Sequence, residues 1–239
     1  MKDDLLAALQ FLTVVPVRQQ FDPAIVGRSQ RAFPLVGVLL GLGLWGLAVS
    51  LPAAAPVVAI LILLLWILVT GGLHLDGLAD SADAWAAGRG DPARALDVMR
   101  DPRCGPMAVS TLVIVLLGKW VAIVALLEAD AAFALIAAPT LARSGVLLLF
   151  ASTPYARDSG LGSPYLQHYD ATAGLIAALL GVGLGLLLAG FWATVIALIV
   201  LAALRHLMLK AVGGMTGDTL GASIELVELA VLLGAALLL

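Results

Sequence analysis

Long apolar blocks separated by short polar connections dominate the sequence. A helix needs roughly 20 mostly apolar residues to cross a hydrocarbon core about 30 Å thick. Seven blocks approach that length, at residues 33–51, 56–73, 107–127, 131–150, 172–190, 191–209 and 222–239. The pattern predicts an all-α fold, a polytopic integral membrane helical bundle with about seven transmembrane helices. We see no internal repeat or linker, so residues 1–239 are predicted to form a single membrane-embedded domain.

A shorter apolar stretch before these blocks, residues 5–17, is too short to span a bilayer. Lys2 is followed by Asp3 and Asp4, which makes a poor signal-peptide start, and no small-x-small cleavage site precedes Arg18. We therefore expect this block to stay in the protein as a short N-terminal interfacial helix, lying at the membrane surface or packed on the bundle.

The composition agrees with a membrane protein. The chain is 62% hydrophobic and 12% charged, whereas soluble domains are about half apolar and a quarter charged. The net charge is −3 and no basic run is present, so no nucleic-acid partner is expected. The single cysteine, Cys104, excludes an intramolecular disulfide.

Lys and Arg residues fall in alternate connections between the blocks. They precede the first block, separate the second from the third, follow the fourth and lie near the end of the sixth. The connections around residues 51–56, 128–130 and 190 contain none. The positive-inside rule then predicts a cytoplasmic N-terminus and a cytoplasmic location for every polar connection.

Three aspartates follow the second block within a stretch that begins Gly71-Gly72. Asp76, Asp80 and Asp83 are spaced so that a helix would present all three on one face. Like charges in a row repel, and no basic residue lies between positions 71 and 88. Carboxylate oxygens suit Mg²⁺, so the row predicts a magnesium site. The alternative is that the span ends at His74 and the acids are solvated loop residues.

Cationic residues supply two further candidates. Arg100, Asp101 and Arg103 precede the third block and form either an anion clamp or an ordinary positive flank. Lys119 and Arg143 interrupt the third and fourth blocks, and ionisable residues inside a membrane are functional candidates. Their expected partners are substrate phosphates or the aspartate row, and the alternative is a structural ion pair between helices.

A glycine-rich segment precedes the last block. Gly214, Thr216, Gly217 and Asp218 suggest a tight backbone whose amides cradle an anion at the start of a helix. Glu225, seven residues after Asp218, shares its helical face. A helix cap and turn is the alternative for Thr216 and Asp218. The segment lacks the Gly-Lys-Ser/Thr of a P-loop. A loop at residues 152–162 is a weaker candidate for contact with a ligand.

Phosphoryl or nucleotidyl-phosphate transfer is the chemistry that these features favour together. The features are carboxylates for Mg²⁺, cations at membrane depth and a glycine-rich segment whose amides can hold an anion. An ion-coupled transporter also uses intramembrane acids, cations and broken helices. A transporter needs access from both faces of the membrane. Here the ionisable residues crowd towards one face, which favours the enzyme.

Four segments resemble the cobalamin synthase family over nearly the whole chain. They are Phe11-Leu12-Thr13, residues 71–83, Met99-Arg100-Asp101 with Gly105, and residues 213–222. The resemblance implies a Mg²⁺-dependent enzyme of the bacterial inner membrane that joins adenosylcobinamide-GDP to α-ribazole or its 5'-phosphate and releases GMP. The acidic motif is also loosely similar to that of CDP-alcohol phosphotransferases, but the second half of that motif is absent here.

Under this resemblance each candidate residue takes a role. Asp76 and Asp80 are expected to bind Mg²⁺, and Asp83 to be a further ligand or the base that deprotonates the ribazole hydroxyl. Asp218 is expected to be a base or to hold a second metal, with support from Glu225. Lys119 is expected to act in catalysis. The remaining substrate-binding candidates are His74, Arg100, Asp101, Arg103, Arg143, Gly214, Thr216 and Gly217. The lipid bilayer is an expected partner, and a homo-oligomer is left open.

Overall fold

A computed structural model describes residues 2–17, 22–156 and 169–239, and these residues are helical almost throughout, which confirms the all-α prediction. The helices are α1 (Lys2–Leu12), α2 (Pro23–Ser29), α3 (Phe33–Ser50), α4 (Ala55–Thr70), α5 (Leu73–Gly88), α6 (Pro92–Val98), α7 (Pro106–Glu128), α8 (Ala134–Ser152), α9 (Ala171–Val212) and α10 (Gly217–Ala236). A 3-10 turn, Gln30–Ala32, joins α2 to α3. Arg18 and residues 157–162 of the predicted ligand loop lie outside the described residues.

Five helical segments of the described chain are long and apolar enough to cross a membrane. They are Pro23–Ser50, Pro106–Glu128, Ala134–Ser152, Ala171–Val212 and Gly217–Ala236. A sixth is added when α4 and α5 are taken as one span bent by 88°. The protein is therefore a multi-pass membrane protein. The count of seven spans stays a prediction.

Helix α9 is broken at Gly190, whose φ of 83° and ψ of 172° are not helical. Gly181 lies against the side chain of Ser144, while Leu201 approaches the neighbouring Gly145. In a straight helix, residues 181 and 201 would be about 30 Å apart, at 1.5 Å per residue. Since both reach the same turn of α8, α9 must double back at Gly190 into two arms. This break coincides with the predicted boundary between the blocks 172–190 and 191–209.

Helix α8 lies at the centre of the bundle, and 89% of the residues in its most apolar stretch are buried. It packs against α3, α9 and α10. On α3, a Cβ added to Gly41 would lie 2.5 Å from Cα of Ile136, so the two backbones are in close contact. Small residues at such contacts are typical of membrane helix pairs, because they let the backbones approach and increase dispersion attraction.

A sharp bend between α4 and α5 places the aspartate row on a helix of its own. Gly71 and Gly72 have φ values of 63° and 70°, in the left-handed region that glycine adopts without steric cost. The second span therefore ends at Thr70, earlier than the predicted 73, and α5 leaves it at 88°. The acids lie beside the end of the bundle rather than along the transmembrane axis of α4.

Connections from five parts of the chain meet at this same end, which we call the polar end. The amide of Val14 donates to the carbonyl oxygen of Val69 at 2.8 Å. The amide of Ala156 donates to the carbonyl oxygen of Met215 at 2.9 Å, and the Thr216 hydroxyl lies 3.8 Å from Sδ of Met99. The first contact joins the N-terminal segment to the end of α4, and the other two join the glycine-rich segment to the connections that follow α8 and α6.

The predicted N-terminal helix is present as α1 and packs on the bundle at the polar end. Asp4 accepts a hydrogen bond from Nη2 of Arg31 at 2.5 Å, which ties the beginning of α1 to the turn before α3. The rings of Phe11 and Phe33 stack with centroids 5.9 Å apart. These contacts fix α1 at both ends.

Candidate active site at the polar end

All three predicted aspartates belong to helix α5, which confirms that the row is helical. Asp76 lies in the first turn of α5 and is exposed, whereas Asp80 and Asp83 are partly buried. A carboxylate in a first turn is stabilised by the partial positive charge of the helix N-terminus. Of the alternative, that the span ends near His74 and the acids are solvated loop residues, the loop is wrong, whereas the span does end at Thr70 and Asp76 is exposed.

Helix α5 packs tightly against the beginning of α10, which joins the aspartate row to the glycine-rich segment. A Cβ added to Gly77 would lie 2.7 Å from the carbonyl oxygen of Asp218, and one added to Gly221 would lie 3.3 Å from Cα of His74. Two glycines thus allow two backbones to touch at this point. The contact brings the first turn of α5, which contains Asp76, against the first turn of α10, which contains Asp218.

A cavity of about 100 Å³ lies at this interface. Asp76 and Asp218 line it together with His74, Gly77 and Gly217. Its other walls are apolar side chains, which are contributed by Phe11, Leu12, Phe33, Leu73, Val146, Phe150, Leu220 and Ile224. The cavity brings carboxylates from the two predicted motifs to one place, and apolar walls there exclude water from polar groups.

The carboxylates of this cavity fit a magnesium ion in number and chemistry. Mg²⁺ is usually held by one or two protein carboxylates and completes its shell with water and substrate phosphates. Asp76 and Asp218 supply that number from facing helices. Among the described residues, no group of three or more His, Cys, Asp or Glu side chains is placed so that it could hold a metal ion.

His74 is buried at 3% exposure and lines the same cavity. Within the described residues, neither its Nδ1 nor its Nε2 has a hydrogen-bond partner. Buried polar groups are nearly always hydrogen-bonded, because an unpaired one loses its hydration without compensation. Both nitrogens are themselves buried, and the contact of His74 with substrate stays a prediction.

Asp83 points away from this arrangement and caps another helix. Its Oδ2 accepts from the amide of Gly105 at 2.6 Å, and its Oδ1 accepts from the amide of Ala108 at 3.0 Å. Gly105 and Ala108 belong to the N-terminus of α7, where amides lack partners within the helix. The predicted role of metal ligand or base therefore competes with a structural one that occupies both carboxylate oxygens.

Replacing Asp83 with alanine should lower the free energy of unfolding by about 1–2 kcal/mol, because the N-terminus of α7 loses its cap. Thermal unfolding of the purified protein in detergent measures this, with Asp97→Ala as the control. Asp97 is an exposed residue of α6 and should change nothing. If the variant unfolds like the wild type but no longer releases product, Asp83 acts in the reaction and not as a helix cap.

The glycine-rich segment is mainly a helix cap, as the alternative interpretation proposed. The Thr216 hydroxyl accepts from the amide of Thr219, and the Thr219 hydroxyl accepts from the amide of Thr216 at 2.8 Å. Thr216 is fully buried, and Gly214 lies directly against the carbonyl of Pro154. Neither residue lines the cavity, and their contact with substrate stays a prediction. Gly217 is exposed and lines the cavity, and its contact with substrate stays a prediction.

The predicted cation clamp lies on the exposed connection between α6 and α7. Arg103 donates to Asp101, with Nη2 and Oδ2 2.5 Å apart. The Arg103 guanidinium lowers the pKa of Asp101 to about 2, so this carboxylate stays charged at neutral pH. Arg100 is also exposed. None of the three lines the cavity, so their contact with substrate stays a prediction.

Lys119, Arg143 and Glu225 form a buried cluster with Glu228 instead of lining the cavity. Nζ of Lys119 lies 2.7 Å from Oε2 of Glu225 and 2.6 Å from Oε2 of Glu228, and Arg143 donates to Oε1 of Glu228. Lys119 also lies 4.6 Å from the centroid of the Trp66 ring. The ion-pair partners of these cations are the two glutamates rather than the aspartate row, and contact with substrate phosphates stays a prediction. The structural ion pair that we named as the alternative is present and joins α7, α8 and α10.

Glu228 is the centre of this cluster, and its place in the sequence alone does not assign it a role. Its position could have indicated a buried partner, because it lies three residues after Glu225 inside an apolar block. A carboxylate in such a block has no water around it and needs another polar group. Gly77 and Gly221 were also seen only as members of motifs. Their shared contact depends on which helices are neighbours, and sequence spacing does not contain that information.

The fold and the cavity together define a helical, multi-pass membrane protein with an acidic site built by two helices at one end of its bundle. The profile of the cobalamin-5-phosphate synthase family matches residues 4–236, and the chain belongs to this family. It is 49% identical over 236 residues to the adenosylcobinamide-GDP ribazoletransferase of Pseudomonas fluorescens, covering 96% of this chain and 97% of that one. The protein of the same name from Pseudomonas putida is 50% identical, covering 97% and 98%. No solved structure matches the chain.

Proposed function

We propose that this enzyme joins adenosylcobinamide-GDP to α-ribazole, or to its 5'-phosphate, and releases GMP. The family and the names of its relatives support this transferase activity. The cavity that Asp76 and Asp218 both line supports placing the reaction at these residues. In the reaction, a ribose hydroxyl oxygen forms a bond to the phosphorus that carries the corrinoid. The bond from that phosphorus to the bridging pyrophosphate oxygen breaks, and GMP leaves with that oxygen.

Asp76 and Asp218 would hold a magnesium ion in the cavity, and Asp80, one turn after Asp76, stays a predicted ligand. A bound Mg²⁺ offsets negative charge on a pyrophosphate and on the departing nucleotide. The two aspartates would otherwise repel an anionic substrate. These carboxylates are therefore expected to bind the metal ion and not to contact phosphate directly.

The other cavity residues would position the substrate. His74 has two unpartnered nitrogens and can hydrogen-bond to a phosphate or ribose oxygen. The exposed Gly217 leaves open space at the start of α10, where the helix N-terminus favours an anion. The aromatic rings of Phe11, Phe33 and Phe150 keep water away from the pyrophosphate, which limits hydrolysis as a side reaction.

A reconstitution assay tests the activity and the metal together. Purified enzyme in lipid vesicles is incubated with adenosylcobinamide-GDP and α-ribazole, and both the cobalamin mass and released GMP are measured. We expect one GMP for each cobalamin formed, no product in EDTA and recovery when Mg²⁺ is added back. Full activity in EDTA would contradict magnesium binding. Ion flux driven by substrate without GMP would support the transporter instead.

We further propose that the polar end faces the cytoplasm of a bacterial inner membrane. The described Lys and Arg residues that are not buried lie on segments at this end, whereas the connections 51–54 and 129–133 contain none. This distribution follows the positive-inside rule.

Cys104 is exposed at the polar end and is the single cysteine. A membrane-impermeant maleimide should label it in inverted vesicles and leave it unlabelled in intact spheroplasts, and the reverse result would invert the orientation.

A further inference from the structure

A second, larger cavity lies between α1, the beginning of α3 and the first arm of α9. Its volume of about 690 Å³ falls in the range of about 300–1,000 Å³ that is typical of small-molecule sites. It shares no lining residue with the cavity of Asp76 and Asp218. The proposed reaction therefore leaves it without a role.

The walls of this cavity are apolar along most of their length. Leu35 on α3 and Ile176 and Leu180 on α9 line it and are 46%, 55% and 71% exposed in the protein. They belong to helices that are apolar enough to span the membrane. A cavity walled by exposed leucine and isoleucine on such helices opens towards the hydrocarbon of the bilayer. Its natural occupant is a chain of apolar carbon rather than a soluble molecule.

The other end of the cavity is charged. Lys2, Arg31 and Asp4 line it, and Arg28 lies beside it with its Nε 3.6 Å from Asp4. Asp4 is buried and accepts from Arg31. One carboxylate cannot satisfy the donors of two guanidinium groups, each of which has five N–H bonds. Asp170, which is also nearby, is used to cap the N-terminus of α9. Within the part of the chain that the structure describes, the charged end thus retains donors for an anion.

We propose that this cavity binds a phospholipid with a net negative headgroup. Its phosphate would lie at Lys2 and Arg31, and an acyl chain would lie along Leu35, Ile176 and Leu180. Basic pockets between membrane helices are a recognised way to bind anionic lipids. The charged end favours an anionic headgroup over a zwitterionic one, because the phosphate charge of a zwitterionic lipid is already offset within its own headgroup.

Helix α1 connects this site to the candidate active site. Its first residues, Lys2, Asp4 and Leu5, line the lipid cavity, while its last residues, Phe11 and Leu12, line the cavity of Asp76 and Asp218. A lipid bound at one end would hold α1 against the bundle and so fix two walls of the active site. Loss of the lipid is then expected to raise KM more than it lowers kcat.

Native mass spectrometry of the full chain, released from vesicles of equal phosphatidylglycerol and phosphatidylethanolamine, tests the proposal. The wild type should retain phosphatidylglycerol. The variant Lys2→Gln/Arg31→Gln should lose about 30-fold in relative affinity for it, which corresponds to about 1 kcal/mol for each removed cation at 1.4 kcal/mol per tenfold change. The control, Arg94→Gln/Lys210→Gln, removes two exposed cations at the same end and should behave like the wild type.

A second variant, Ala177→Phe, fills the apolar part of the cavity and keeps the contact between Asp4 and Arg31, so it tests the site even if loss of Arg31 unfolds the protein. It should also lose the bound lipid. Unchanged retention in this variant, or equal retention of phosphatidylethanolamine by the wild type, would overturn the proposal. A dimer that Ala177→Phe dissociates would overturn it as well, because a second copy of the chain would then fill the cavity.

Discussion

Replacing Glu228 with glutamine should lower the free energy of unfolding by about 3–5 kcal/mol, the range found when one partner of a buried ion pair is removed. Glu228 is fully buried and contacts both Lys119 and Arg143. With a neutral amide at this position, two buried cations would share the single carboxylate of Glu225. Arg143 already has Nε and Nη2 without a hydrogen-bond partner in the described residues, so it cannot easily find a replacement.

The measurement is thermal or denaturant-induced unfolding in detergent, with Glu128→Gln as the matched control. Glu128 is exposed at the end of α7 and should tolerate the same change. The double variant Arg143→Met/Glu228→Leu leaves the neutral pair of Lys119 and Glu225, so we expect it to be more stable than Glu228→Gln. If Glu228→Gln unfolds at the wild-type temperature, the cluster does not hold α7, α8 and α10 together.

The secondary structure could be predicted from the sequence because it depends on local patterns. Apolar blocks predicted the helices, since a bilayer leaves no other partner for the backbone amides. The spacing of Asp76, Asp80 and Asp83 predicted a helical row, and α5 contains all three. The boundary predicted at residue 190 coincides with the left-handed Gly190.

The bend between α4 and α5 could not be predicted, because two glycines are compatible with a continuing helix or a turn. Gly71 takes a positive φ where the side chain of Val14 lies directly against it. Val14 belongs to the N-terminal segment, 57 positions earlier in the chain by subtraction of the residue numbers. Long-range packing therefore decides the conformation of this pair.

The partners of the buried charges could not be predicted for a related reason. The sequence marks Lys119 and Arg143 as unusual, but not which helix faces them. Glu225 and Glu228 meet Lys119 because α10 packs against both α7 and α8. The packing of α5 against α10 likewise places Gly77 against Asp218, at the cavity of Asp76 and Asp218. Each of these contacts depends on helix neighbours and rotation rather than on residue type.

Replacing Asp76 with asparagine should reduce the rate of GMP release by about 10²–10³-fold, the loss typical when one electrostatic contact to the transition state is removed. Asp76 is exposed and lines the cavity opposite Asp218, so the loss should come from weaker metal binding and not from unfolding. The Mg²⁺ concentration for half-maximal activity should therefore rise in the same variant. Asp218→Asn should have an effect of similar size.

Titrating GMP release against Mg²⁺ for the wild type, Asp76→Asn and Asp97→Asn separates metal binding from other effects. Asp97 carries the same charge on the exposed helix α6, so its variant should match the wild type at every concentration. Near-normal turnover by Asp76→Asn would mean that Asp76 has no part in the reaction. A rate loss with an unchanged Mg²⁺ requirement would mean that Asp76 contacts the substrate directly, because a carboxylate that binds metal must change the metal affinity when it is neutralised.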